Sequence, residues 1–211
     1  MDKVSREIRE YIETKILPKY EGIGGHTSDH IRQVINRSLR FFEQTENLNI
    51  DMVYVIAAYH DLGRLIDNET HNIESAKMMR ADEFLQAHFS AEELETMAQA
   101  VEDHRASLGR EPRSIYGKLV SSADRNADFE VAMGRVYDYN RHLHPELSED
   151  DLIEDCRLHL REKYARDGYA VKTMYFDDPN FNAFIDKVDD ATESIEKFAP
   201  LMREINAKCG K

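Results

Sequence analysis

His60 and Asp61 close the apolar run Val53–His60, with His30 upstream and Asp124 downstream, and these four side chains are the ones best suited to chemistry. Imidazole and carboxylate are costly to strip of water one at a time. A divalent cation offsets that cost when both donor types converge on it. The positions are consistent with convergence: His30 stands four residues before Val34, His60 one turn beyond Ile56 and Ala57, and Asp124 four residues after Val120 and three before Ala127. Each therefore falls on the inward stripe of its helix. Taken alone, His30 is better explained by a hydrogen-bonded core histidine. A buried carboxylate without a cation is harder to account for, and four residues of complementary type on three helices point to metal. Consecutive helical residues diverge by about 100°, so His60 and Asp61 reach one ion only near a helix end, where Gly63 can loosen the turn.

Further candidates surround this set. His71 follows His60 by eleven residues, which along one helix is a rise of about 16 Å. The two meet only if Asp67–Thr70 breaks the helix. With that break, His71 and His104 can serve as general-acid groups, a role a histidine fills near neutral pH. Arg64, one turn after His60, aims a positive charge at the mouth of the site, while Arg125 and Lys118 share the helix carrying Asp124. An anionic substrate in an acidic chain needs such local compensation. Lys118 and Lys77 read more readily as solvated surface charges, and the clusters Glu92–Glu95 and Glu149–Asp155 most simply as solvated helix faces. Met78, Met79 and Tyr137 read as core.

The elements that must position these residues are helical. Val4, Ile8, Tyr11, Ile12 and Ile16 recur near the 3.6 period and predict a helix over 2–17 that Pro18 ends. A loop with three glycines, 21–25, precedes His26. Ser28 or Asp29 can cap the helix of Ile31, Val34, Ile35, Leu39 and Phe42, and Asp51 the one running to His60. Residues 71–87 form an amphipathic segment, and Ser90 with Glu93 is a capping box for a helix reaching His104. The polar Gly109–Arg113 stretch leads into a helix over about 114–140, striped by Leu119, Val120, Ala123, Ala127 and Val131. Ser148, with Asp151 and Glu154, starts another. Lys163–Pro179 reads as a structured loop, and a long helix over about 180–207 carries Phe181, Phe184, Ile185, Val188, Ile195 and Phe198. No strand pattern or repeat interrupts this sequence.

Composition narrows the class. With 41% hydrophobic and 33% charged residues, and with Gly and Pro scarce, the chain reads as globular and helical, neither disordered nor fibrous. A net charge of −13 argues against general nucleic-acid binding, which needs a basic stripe. No apolar stretch approaches the roughly 20 residues that cross a bilayer, and the N-terminus is too polar for a signal peptide, so a cytoplasmic address with no membrane partner is expected. Cys156 and Cys209 lack metal-ligand spacing and are read as spectators.

The order of these residues resembles the HD-domain metal-dependent phosphohydrolases, whose pattern is a histidine, an adjacent His-Asp pair and a distant aspartate on a later helix. The matching runs are His30 in GGHTSDHIRQV, His60-Asp61 in AAYHDLGR and Asp124 in KLVSSADR. The tail KYARDGYAVKTMYFDD is similar to the C-terminal extension of one bacterial branch of small HD hydrolases. That branch has a DADRLDA-like run at the final aspartate where this chain has SADRNAD; Asp124 and Arg125 are kept. The resemblance implies an all-α fold and one divalent ion (Mn, Co, Ni, Fe, Zn or Mg) on His30, His60, Asp61 and Asp124, with positions open for water and a phosphate oxygen. Binuclear members insert two more histidines, the place here of His71 and His104, so a second ion is possible.

The expectation is one HD-type helical domain over 1–211, with a core at about 20–140 and a helical C-terminal extension at about 141–211. Its expected activity is metal-dependent hydrolysis of a small phosphorylated metabolite, a nucleotide being the best candidate, by attack of a metal-bound water. His30, His60, Asp61 and Asp124 are the expected metal ligands; Asp61, His104, His71 and Arg64 the catalytic groups; Arg64, Arg125 and Lys118 the substrate-binding groups. Two other readings use the same helices: a binuclear iron oxygenase, which would enlist His71 and His104 as ligands, and a non-catalytic metal or nucleotide sensor.

Overall fold

A computed structural model of the chain describes residues 3–21, 28–125 and 128–208. All regular structure among them is helical. The glycine loop at 22–25, His26, Ala127 and Cys209 lie outside the described residues. The helices group into two compact units, the first formed by the chain up to Asp124 together with Met174–Asp177, the second by Arg125–Thr173 and the residues from Asp178 onward.

The first unit is organised around α3 (Ile50–Tyr59), in which every residue from Met52 to Tyr59 is buried. A helix apolar on all sides belongs in the middle of a core, and its C-terminal end is carried into the interior with it. Around it pack α2 (Ser28–Phe42), α6 (Ala91–Glu102) and α7 (Ile115–Ala123), while α4 (His71–Arg80) lies along α6. Asn49 caps α3 by accepting from Asp51 N; Asp51, the expected cap, instead accepts from Ser5 N at 2.7 Å. The Ser90–Glu93 capping box is present at the start of α6, a device contributing about 1 kcal/mol.

Departures from the expected elements have local causes. The first helix is α-helical over α1 (Arg6–Tyr11), widens to a π-helix at Ile12–Ile16 and tightens to a 3-10 turn at Leu17–Tyr20. Pro18 stands in the first turn of that last piece, where its missing N–H costs nothing, so the run passes it. Segment 71–87 divides, because Asp82 accepts from Phe84 N and Leu85 N and starts the short α5 (Glu83–His88). The helix expected over 114–140 is likewise two: α7 ends at Ala123 with Asp124 as C-cap, and α8 (Phe129–Leu143) starts afresh from an Asp128 cap.

In the second unit, α8, α11 (Pro179–Ala191) and α12 (Ile195–Lys208) pack against α9 (Glu149–Tyr164), and a short α10 (Tyr169–Lys172) breaks the expected loop. The long last helix divides at Thr192–Ser194. Burial raises the Cys156 thiol to about 12, which leaves it unreactive. No described helix is long and apolar enough to cross a membrane.

Candidate metal centre

Five helices of the first unit, α2, α3, α4, α6 and α7, deliver the site. His30 lies in the first turn of α2, His60 is the C-cap of α3, and Asp61 follows with φ −108° and ψ 6°. Leaving helical geometry at Asp61 is what lets two consecutive residues face one centre. The chain then makes a 3-10 turn, Leu62–Leu65, and breaks before α4 begins at His71. Asp67 Oδ1 organises that break by accepting from Glu69 N, Thr70 N and Thr70 Oγ1. The interruption required for His71 to return toward His60 is therefore present.

His30, His60, Asp61 and Asp124 bring one potential ligand atom each within 4.8 Å of one another. His30 Nε2 is 3.2 Å from Asp124 Oδ1 and 3.9 Å from Asp61 Oδ2; His60 Nε2 is 3.5 Å from each of those oxygens. Asp61, His71 and His104 form a second group of the same tightness. Here Asp61 offers its other oxygen: Oδ1 is 3.2 Å from His71 Nε2 and 3.7 Å from His104 Nε2. One buried carboxylate thus faces two imidazoles on each side.

Three of the histidines are held by the same device. The Nδ1–H of His60, His71 and His104 donates to the carbonyl three residues earlier, Ala57, Asn68 and Val101, at 2.8, 2.8 and 2.7 Å. Each bond fixes the ring and turns Nε2 inward as the coordinating nitrogen. His71 and His104 then point their Nε2 atoms at each other across 3.3 Å. Two nitrogens at that separation can share a metal ion or a proton. His60 Nε2 is fully buried and makes no hydrogen bond, and with its carboxylate neighbours it has the chemistry of an ion ligand. The donor set fits a divalent metal.

The electrostatics separate the two groups. Burial opposes charge on His60, but Asp61 and Asp124 outweigh it and raise its pKa to about 10. Burial, reinforced by His104, lowers His71 to about 4. Burial works against ionised Asp124 too, yet His30 and His60 hold it well below the ordinary carboxylate range.

The other expected residues are engaged. Arg64 is turned inward, its Nε 2.9 Å from Asp61 Oδ1, and it also donates to Asn68 Oδ1. Lys118 pairs with Glu111 at 3.0 Å and lies over the Tyr175 ring. Arg125, 3% exposed, donates to Thr173 Oγ1 at 2.9 Å and lies against the carbonyls of Ala170 and Thr173 within the second unit.

One support escaped the reading by spacing, and another has a different role from the one expected. Arg37, two turns after His30 on α2, donates to Ala123 O at 2.8 Å, a cation on the C-terminal end of α7 beside Asp124. Its only trace in sequence is a place on the His30 face. Gly63 matters for proximity, not for loosening a turn: a Cβ there would lie 2.2 Å from His71 O and 2.5 Å from Ser75 N. Its N–H donates to Ser75 Oγ at 2.7 Å, so the turn after Asp61 lies directly on α4.

Residues 27–127 match the family model described as HD domain. This segment is an HD domain and belongs to the HD-domain superfamily. The matched span runs from just before His30 to just beyond Asp124, and His60-Asp61 is its HD pair. HD domains are in general metal-dependent phosphohydrolases, and this one has a His/Asp cluster that could hold a divalent metal. No curated protein and no solved structure matches the chain.

Proposed function

We propose that the protein is a metal-dependent phosphohydrolase acting on a small phosphorylated metabolite, with a nucleotide as the leading candidate. The observation that carries this reading is the convergence of His30, His60, Asp61 and Asp124 inside an HD domain. These four hold the ion. A divalent ion in such a site polarises a phosphoryl oxygen and lowers the pKa of a water.

The rest of the chemistry falls to the side chains. Asp61 and Asp124 fix negative charge where the ion is needed. His60 loses its proton when the ion is bound, since one Nε2 lone pair cannot serve both. His71 and His104, with their Nε2 atoms 3.3 Å apart, are placed to share a proton with the leaving oxygen or, with Asp61 Oδ1, to hold a second ion. Arg64 attracts the anion and balances Asp61; Lys118, 30% exposed at its side chain, can attract distal phosphate.

The test is elemental analysis of the purified chain, then phosphate and pyrophosphate release from a nucleotide panel with Mn²⁺, Co²⁺, Mg²⁺ or no added metal. Metal-dependent release supports the hydrolase; bound metal without release from any member of the panel counts against it. The Asp61–His71–His104 group favours one competing reading, a binuclear iron oxygenase, for which two irons per chain and substrate-dependent oxygen consumption would be found.

A further inference from the structure

We propose that Asp103 is a positioning residue that holds His104 in register with His71 and Asp61, a role resting on the reading of those three as a second metal-holding group. Asp103 is the C-cap of α6, fully buried, and immediately precedes His104. Nothing in its spacing marks it as a ligand, and it belongs to neither metal group.

Its carboxylate collects five donors. Arg110 approaches with both terminal nitrogens, at 3.2 and 2.6 Å. Arg113 supplies its backbone N–H at 2.8 Å, Nε at 2.9 Å and a terminal nitrogen at 2.8 Å. Paired forks of this kind are directional and resist small displacements. Arg113 also reaches Gln99 O and Glu102 on the last turn of α6. The polar stretch from His104 to Arg113 is therefore folded back and tied to the helix end from which His104 projects.

The tie extends to α7. Its Ser114 cap follows Arg113 directly, and a Cβ at Gly117 would sit 2.9 Å from Pro112 Cβ and 3.5 Å from Asp103 Cβ. Asp103 thus fixes the end of α6 against the start of α7. The far end of α7, where Asp124 stands, has its own anchor in Arg37. Loss of the Asp103 clamp is expected to loosen His104 and spare the His30–His60–Asp124 side. A shift of about 1 Å in a ligand is enough to matter for such a site.

The experiment is a calorimetric titration of the metal-free full-length chain with Mn²⁺, comparing wild type, Asp103→Asn and Arg110→Gln, with melting temperatures recorded alongside. Wild type takes up two ions. Asp103→Asn keeps the tighter step within about twofold and weakens the looser step at least tenfold, in keeping with outer-shell changes at metal sites; Arg110→Gln moves the looser step in the same direction by less. If the variants melt earlier but both steps keep their wild-type affinities, Asp103 is merely structural and the proposal is overturned. If Asp103→Asn does not fold, Arg110→Gln decides by the same criterion. A wild-type chain that takes up one ion refutes the two-ion reading itself, an outcome visible before any variant is compared.

Discussion

The two faces of Asp61 are built differently. Its Oδ2 looks toward His30 and His60, with a second carboxylate, Asp124, closing the group. Its Oδ1 looks toward His71 and His104, and there the third neighbour is a guanidinium, Arg64 at 2.9 Å. Two anions and two imidazoles make the Oδ2 face strongly attractive to a cation. On the Oδ1 face a positive charge is already part of the protein, and an arriving ion must share Asp61 with it. The lesson is that equal compactness does not make equal sites: on the proposed reading the Oδ2 face would be the primary metal position, and the Oδ1 face a weaker one adjustable by Arg64.

Removing the residue common to both faces gives the largest effect. Asp61→Asn is expected to abolish binding on both sides and to lower kcat/KM about a thousandfold or more. Asp124→Ala removes the primary ion and turnover while the helices persist, whereas His104→Gln spares the primary ion and loses only the weaker step. Circular dichroism with metal analysis by mass spectrometry checks all three. Full activity in Asp124→Ala would remove it from the ligand set.

A steric change sharpens the comparison. Gly63→Ala places a methyl group against the backbone of α4 at His71 and Ser75, and overpacking of this kind costs about 1–3 kcal/mol. Thermal melting should show that loss, together with weaker binding on the Oδ1 face, since α4 carries His71 and α3 carries His60. A Gly63→Ala chain as stable as wild type, with both steps unchanged, would show that α4 shifts without consequence.

Much of this site was legible because the relevant signals are local. His30 and His60 sit on apolar stripes whose 3.6 period survives in the fold, and the HD pair marks a helix end as the divergence of adjacent residues requires. The break at Asp67–Thr70 was readable only as a condition for His71. What spacing did not convey are long-range pairings. The division of 114–140 at Asp124 follows no Gly or Pro, the inward turn of Arg64 depends on where Asp61 Oδ1 comes to lie, and the Asp103 clamp joins residues through the return of a loop. Caps were legible at Ser90 and Ser148, but at α3 Asn49 is the cap, and Asp51, inside the first turn, accepts instead from Ser5, distant in sequence.

Arg64 offers a more modest contrast. As a group aimed only at substrate, Arg64→Ala would raise KM or lower kcat with metal content unchanged. Its ion pair with Asp61 adds a consequence: without the guanidinium, Oδ1 is left to metal, and the weaker step should tighten about tenfold through loss of like-charge repulsion. Competition against a chelating dye measures that step, and KM for an anionic substrate should rise in parallel. Unchanged metal affinity would return Arg64 to the substrate alone.

The finest distinction is in protons. At pH 7 the metal-free chain carries a proton on His60, whose pKa is about 10, and none on His71, at about 4. Metal takes the unprotonated imidazole, so filling the Oδ2 face must expel the His60 proton, while His71 has none to give. Between pH 6 and 8, below the raised pKa, primary affinity should therefore climb with pH by about tenfold per unit from His60. His71 adds no slope to the weaker step in that window, which lies above its lowered value. Calorimetry in buffers of different ionisation enthalpy counts the protons released at each step. Release on the tighter step that disappears in His60→Gln assigns that step to the Oδ2 face; equal release on both steps would mean that the two faces of Asp61 are not electrostatically distinct.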